Sequence, residues 1–273
     1  MTAPTNLYIA PAYLFPKQSD KDKAQLWQDA GWAYDCAYQG RPELTTPILY
    51  NWAVNNKKLV NWEAKLVMTF KGQLFLDAYL MLPSGYQPKE FPTWVQNVYL
   101  PGAMTVYPEN NNRGAWGLLG SVLSNKILGY PQELNTFRYY EIISNNTNDD
   151  GLVKDGPERT NSGMWYSYFF IAPLLKVAQI LPVEKYMLKP ALDWLWKYVQ
   201  NPETWPYKPA PIWTPKGIYQ RLFQACAAKV ELPRKDDWPA NLYWVAGDMF
   251  EQPEWKQWGN PPRYWTNIFR FGI

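Results

Sequence analysis

The chain has 273 residues and no histidine. That absence removes the Ser-His-Asp and Cys-His nucleophile pairs, histidine-ligated zinc and an imidazole general base. Acid–base work falls to Tyr, Lys, Asp, Glu or Cys. Residues 145–181 bring such groups together. The first half is rich in Asn, Asp, Gly and charge, which is turn chemistry. The second half is aromatic and then aliphatic, dense enough to be core. At the seam lie Arg159, Trp165, Tyr166 and Tyr168, polar-tipped side chains where a loop enters a buried helix, a common location for working residues in a cleft. A second polar group, Asn111-Asn112-Arg113, precedes the small and apolar residues 114–128. Asn is a strong helix N-cap, and a helix N-terminus attracts anions, so capping and anion binding are compatible readings of this group. Arg113 and Arg159 each read either as carboxylate-binding groups or as solvated surface charges.

Composition narrows the class. A hydrophobic content of 47% marks a globular chain. A net charge of +3, with no dense Lys/Arg run, argues against nucleic acid as a partner. No apolar run reaches membrane-span length. The first residues lack a basic start followed by a long apolar stretch, so no secretory signal is read; removal of a leader would imply a secreted or periplasmic protein. Cys36 and Cys226 read as two buried thiols, or as a pair if the chain is exported, and no metal-ligand spacing or other cofactor motif is present. The 16 Trp and 20 Tyr residues are mostly core, but flat amphipathic rings also suit the faces of sugars.

The elements that must position these groups are helical. Residues 1–22 read as an irregular lead-in. Residues 23–38 carry apolar positions at helical spacing, and Gly40-Arg41-Pro42 stops them. Residues 47–52 and 59–71 follow, with Asn55-Asn56 as a break. Residues 61–82 form a long helical pattern that Gly72 is expected to interrupt. Residues 83–86 form a turn, 92–100 a helix with Pro at its first turn, and 101–112 a loop. Helices are expected over 114–128, 132–144, 183–200, 217–229 and 240–250, with a proline-rich loop over 201–213. The sum is an all-α fold of roughly ten helices in a single domain spanning 1–273. Successive helix pairs of this kind can close into an α/α toroid with a central cleft.

Three segments in order, 59–85, 111–128 and 150–181, resemble the alginate-lyase-like polysaccharide lyases, whose fold is an α/α toroid. In that family an Asn-Asn-x-Gly/Ser-x-Trp segment opens a helix. An Asp-Gly-x-Leu segment then leads through an Arg-bearing loop to a Tyr in a helix continuing as Ala-x-x-Pro-Leu. Here these read as Asn111, Asn112 and Trp116, then Asp150, Gly151 and Leu152, Arg159, Tyr166, and Ala172, Pro173 and Leu174. Where the family commonly has His after the Asn pair, this chain has Arg113. The Arg of the second motif sits in a differently spaced loop.

The resemblance implies β-elimination on an acidic polysaccharide or oligosaccharide. The uronate carboxylate is neutralised by Asn111, Asn112 and an Arg (Arg113 or Arg159), since guanidinium grips a carboxylate at two points. Tyr166 removes the C5 proton and protonates the leaving oxygen, with nearby cations lowering its pKa from about 10. Tyr168 is the alternative if the register slips by two. Trp116, Trp165, Asn61, Trp62 and Asp77 are candidate groove residues, although a core role for Trp116 and a buried hydrogen bond for Asp77 explain them equally. Two other readings stand beside this one. A glycoside hydrolase would use two carboxylates among Asp77, Glu109, Asp149, Asp150, Asp155 and Glu158. A non-catalytic module, either carbohydrate-binding or a structural part of a larger assembly, fits the missing His.

Overall fold

A computed structural model describes residues 2–10, 17–158, 163–191, 193–194, 204 and 206–207. Nine α-helices succeed one another among them: α1 (Lys17–Tyr38), α2 (Pro42–Asn55), α3 (Trp62–Met81), α4 (Phe91–Trp94), α5 (Leu100–Val106), α6 (Asn112–Leu128), α7 (Glu133–Asn146), α8 (Asp155–Glu158) and α9 (Gly163–Ile180). The fold is all-α, as the helical periodicity predicts. The described β-structure is slight: β1 (Asn6–Leu7) pairs in parallel with β2 (Lys58–Leu59), and Thr147 bridges Val153.

The helices sort into two layers by their sequence patterns. Residues of α3, α6 and α9 are buried almost all round, as expected for helices apolar on every face. Helices α2 and α7 keep an exposed face. Helix α3 packs on α6 and α6 on α9, and α1 packs on the other side of α3. The intervening helices pack on the outside.

Helices α3, α6 and α9 run in the same direction. Phe70 of α3 meets Phe169 of α9, with ring centres 5.7 Å apart. Asp77, two turns further along α3, meets Lys176, two turns further along α9. The same order links α3 to α6, where Trp62 faces Arg113 and Phe70 faces Trp116. The first turns of α3, α6 and α9 therefore lie at one end of the layer.

Several expected boundaries move. Helix α1 begins at Lys17, inside the expected lead-in, and that lead-in also contains β1. Helix α2 begins at Pro42, because Pro is well suited to the first helical position, and it continues through Pro47. Residues 58–59 are strand rather than the start of a helix. Gly72 does not interrupt α3. Its bare Cα instead admits the Tyr99 ring, which a Cβ would approach to 3.1 Å, and Gly120 on α6 faces the same residue. Tyr99 is thus wedged between α3 and α6, and its hydroxyl donates to the Thr69 carbonyl at 2.8 Å.

The expected loop over 101–112 shrinks to 107–111. Pro101 lies inside a helical run from 91 to 106, with a π-helical turn at Val95–Tyr99 immediately before it. The wider turn removes the need for the amide hydrogen that Pro lacks. Of the expected helix over 183–200, residues Lys185–Leu188 form a 3-10 turn. The features expected at 201–213, 217–229 and 240–250, and Cys226, lie outside the described residues. Cys36 is buried.

Candidate active site

Asn111 initiates α6. Its side-chain oxygen accepts from the amides of Arg113 (2.8 Å) and Gly114 (3.4 Å), and its amide nitrogen donates to Glu109 at 3.1 Å. Glu109 in turn pairs with Arg113 at 2.7 Å. The capping reading of Asn111 holds, and its amide is committed on both sides. Asn112 follows as the first helical residue and is buried.

Arg138 on α7 fixes the loop that leads into this cap. Its guanidinium donates to the carbonyls of Tyr107 (3.2 Å) and Glu109 (2.8 Å), to Asn110 Oδ1 (2.8 Å) and to Glu141 (2.7 Å). Four acceptors saturate most of the five-donor fork. Gly114 lets the loop close: a Cβ there would fall 1.7 Å from the Glu109 carbonyl oxygen.

Arg113 reaches across to α3, where its guanidinium lies 5.3 Å from the centre of the Trp62 ring. Trp62 is the first residue of α3, and its exposure is 39%. Glu63 follows it, half-buried. Burial pushes its carboxyl above the usual range, while the positive charges of Lys23 and Arg113 pull it back down. Asn61 caps α3 by accepting from Ala64 (3.2 Å), and it also bonds both backbone groups of Ile9, at 3.3 and 2.6 Å. Its amide therefore ties the lead-in to α3 and fixes where Trp62 begins.

An aromatic floor lies deeper along these helices. Phe70 of α3 touches Trp27 of α1, Trp116 of α6 and Phe169 of α9, with ring centres 5.8, 6.3 and 5.7 Å away, so one side chain joins four helices. Trp116 is fully buried and packs on Phe169 at 5.0 Å, which places it in the core. Half-buried Tyr166 meets Phe169 edge-on at 6.5 Å. Because Trp116 and Phe169 share a level, the residues three before each, Arg113 and Tyr166, also share one, about 4.5 Å nearer the helix starts. Trp165 and Tyr168 belong to α9, but their side chains, like Arg159, lie outside the described residues.

The deeper polar groups are committed elsewhere. Asp77 is buried, as the hydrogen-bond reading of it requires. It forms a buried salt bridge with Lys176, which also approaches Gln73 Oε1 at 3.4 Å. Asp150 is exposed and accepts from the Leu152 amide at 3.2 Å, closing a turn. Asp149 is exposed in the same turn. The side chains of Asp155 and Glu158 lie outside the described residues.

Sequence reasoning missed three contributors to this end of the molecule. Arg138 stands between Phe137 and Tyr139 in an ordinary amphipathic helix, with no local mark of its role. Phe70 is one apolar residue among many. Lys71 is 2% exposed, with its ammonium 4.1 Å from the Trp27 ring centre, and Lys23 lies over the same indole at 5.5 Å. Burial, reinforced by the Lys23 charge, lowers the Lys71 pKa well below its ordinary value. Among the described residues no group of His, Cys, Asp and Glu is arranged to hold a metal, and no helix is long and apolar enough to cross a membrane. No protein-family model matches this chain, and neither does any curated protein sequence.

Proposed function

We propose that this chain is a polysaccharide lyase that cleaves a uronate-containing polymer by β-elimination, on an α/α toroid or part of one. The alternation of buried and outer helices suits that architecture. The observation that carries the chemistry is the shared end of α3, α6 and α9. Parallel helices with their first turns together gather partial positive charge at one end. Trp62, Asn112, Arg113 and Tyr166 all belong to those first turns.

In this reading, Arg113 and Asn112 offset the charge that builds on the uronate carboxylate as C5 loses its proton. Asn111 holds the other two in place. The Tyr166 oxygen takes the C5 proton, the electron pair forms the C4–C5 double bond, and the C4–O bond breaks. The proton then passes from Tyr166 to the leaving oxygen, which balances the step without a metal or redox partner. The commitments of Asp77, Glu109 and Asp150 leave the two-carboxylate hydrolase with little support.

Tyr166→Phe tests the assignment. Turnover, followed by the near-ultraviolet absorbance of the unsaturated uronate, is expected to fall about 100- to 10,000-fold while oligosaccharide binding is retained. Unchanged turnover in the variant would remove Tyr166 from the chemistry. Binding by the wild type without turnover on any acidic glycan would favour the non-catalytic module.

A further inference from the structure

A cavity of about 440 Å³ opens between α5, α6 and α7, and none of Trp62, Asn112, Arg113 or Tyr166 lines it. Its size is that of a small-molecule site. The rim is apolar and uncovered. Leu134 is 81% exposed and Phe137, one turn later on α7, is 70% exposed, more than any other large apolar side chain among the described residues. Met104 of α5, also exposed, completes the rim.

The wall is polar at a few points, and their bonding selects the ligand. Ser121 and Asn135 are buried and joined, Ser121 Oγ donating to Asn135 Oδ1 at 2.9 Å, and the Asn135 amide donates on to Gln132 at 2.7 Å. The Asn125 amide donates to the Pro131 carbonyl at 2.7 Å, which leaves Asn125 Oδ1 to accept. Glu141 gives Oε2 to Arg138 at 2.7 Å, which leaves Oε1 to accept. A ligand that meets these acceptors brings hydrogen-bond donors. Charge of either sign is disfavoured. A cation would meet the Arg138 guanidinium beside the one carboxylate of the wall. An anion would meet Glu141, and would find four Arg138 donors already engaged.

We propose that this cavity binds a neutral pyranose, one hexose unit of a sugar chain, as a carbohydrate site separate from the shared helix end. A pyranose offers an apolar face to the Phe137 ring and hydroxyl donors to Asn125 Oδ1 and Glu141 Oε1. The site holds the sugar without cleaving it, and is independent of turnover elsewhere on the chain.

The test is ligand-observed NMR titration with the methyl glycosides of glucose, mannose and galactose. Methyl glucuronide and methyl glucosaminide serve as anionic and cationic counterparts of the same ring. At least one neutral glycoside is expected to bind at about millimolar strength. Phe137→Ala, on the surface, is expected to weaken it about three- to tenfold, and so is Asn125→Leu on the facing helix. The loss in Phe137→Ala is expected to be smaller for both charged glycosides. Absence of neutral binding overturns the proposal, as does unchanged binding in either variant, or an equal Phe137→Ala loss for a charged glycoside. A sedimenting dimer that Phe137→Ala dissolves, with no glycoside bound, would assign the rim to a second copy of the chain and overturn it too.

Discussion

Lys176 on α9 and Asp77 on α3, 99 residues apart in the chain, form a salt bridge closed off from solvent on both sides. The pair fixes the register of α9 against α3. Tyr166 lies on the same helix, toward its start, with Pro173 between the two. Pro173 has no amide hydrogen to offer the Phe169 carbonyl, so the backbone alone leaves that helix a point of bending.

The pair makes an asymmetric prediction. Asp77→Asn leaves the buried ammonium of Lys176 without its carboxylate and is expected to cost about 3–5 kcal/mol. The double change Asp77→Leu with Lys176→Met removes both charges and is expected to stay much closer to the parent, or to exceed it. Urea denaturation of the three proteins reads both. A single-variant cost below about 1 kcal/mol would show that the pair is not sealed from water.

Arg138 supports the Asn111 cap through the loop that precedes it. Arg138→Met leaves the carbonyls of Tyr107 and Glu109 without that donor, at about 1–3 kcal/mol for each buried group left unsatisfied. Arg138→Lys restores the charge but not the fork, and is expected to recover only part of the loss. Denaturation midpoints of the two variants check the order.

Lys71 gives a pH signature. Its folded-state pKa is lowered, so the unfolded chain holds a proton that the folded chain sheds. Stability on this account rises with pH in the window between the folded and unfolded pKa values, with a slope of at most about 1.4 kcal/mol per pH unit. The destabilisation is absent above the unfolded value and complete below the folded one. Lys71→Met is expected to raise the urea midpoint at neutral pH and to flatten its rise toward alkaline pH. Parallel pH profiles for the two proteins would contradict the burial of that amine.

What the sequence made legible was local. Asn111 before a run of small and apolar residues reads as a cap, and it is one. Tyr166 three residues before Phe169 on an apolar stretch reads as the edge of a core helix, and it is that too. Pro101 misled because proline signals an end, and only the π-helical turn before it allows the helix to continue. Asp77 could not be read alone, since what makes it structural is a lysine six helices later in the chain. Arg138 and Lys71 were invisible for the same reason. Their roles belong to tertiary neighbours, which no spacing rule encodes.

The most direct test of the account is a screen of the wild-type chain against alginate, pectate, glucuronan and the glycosaminoglycans. It follows the near-ultraviolet absorbance of unsaturated uronate ends. The account predicts a steady rise on at least one of these polymers, abolished in Tyr166→Phe. A flat trace across the whole panel would contradict it.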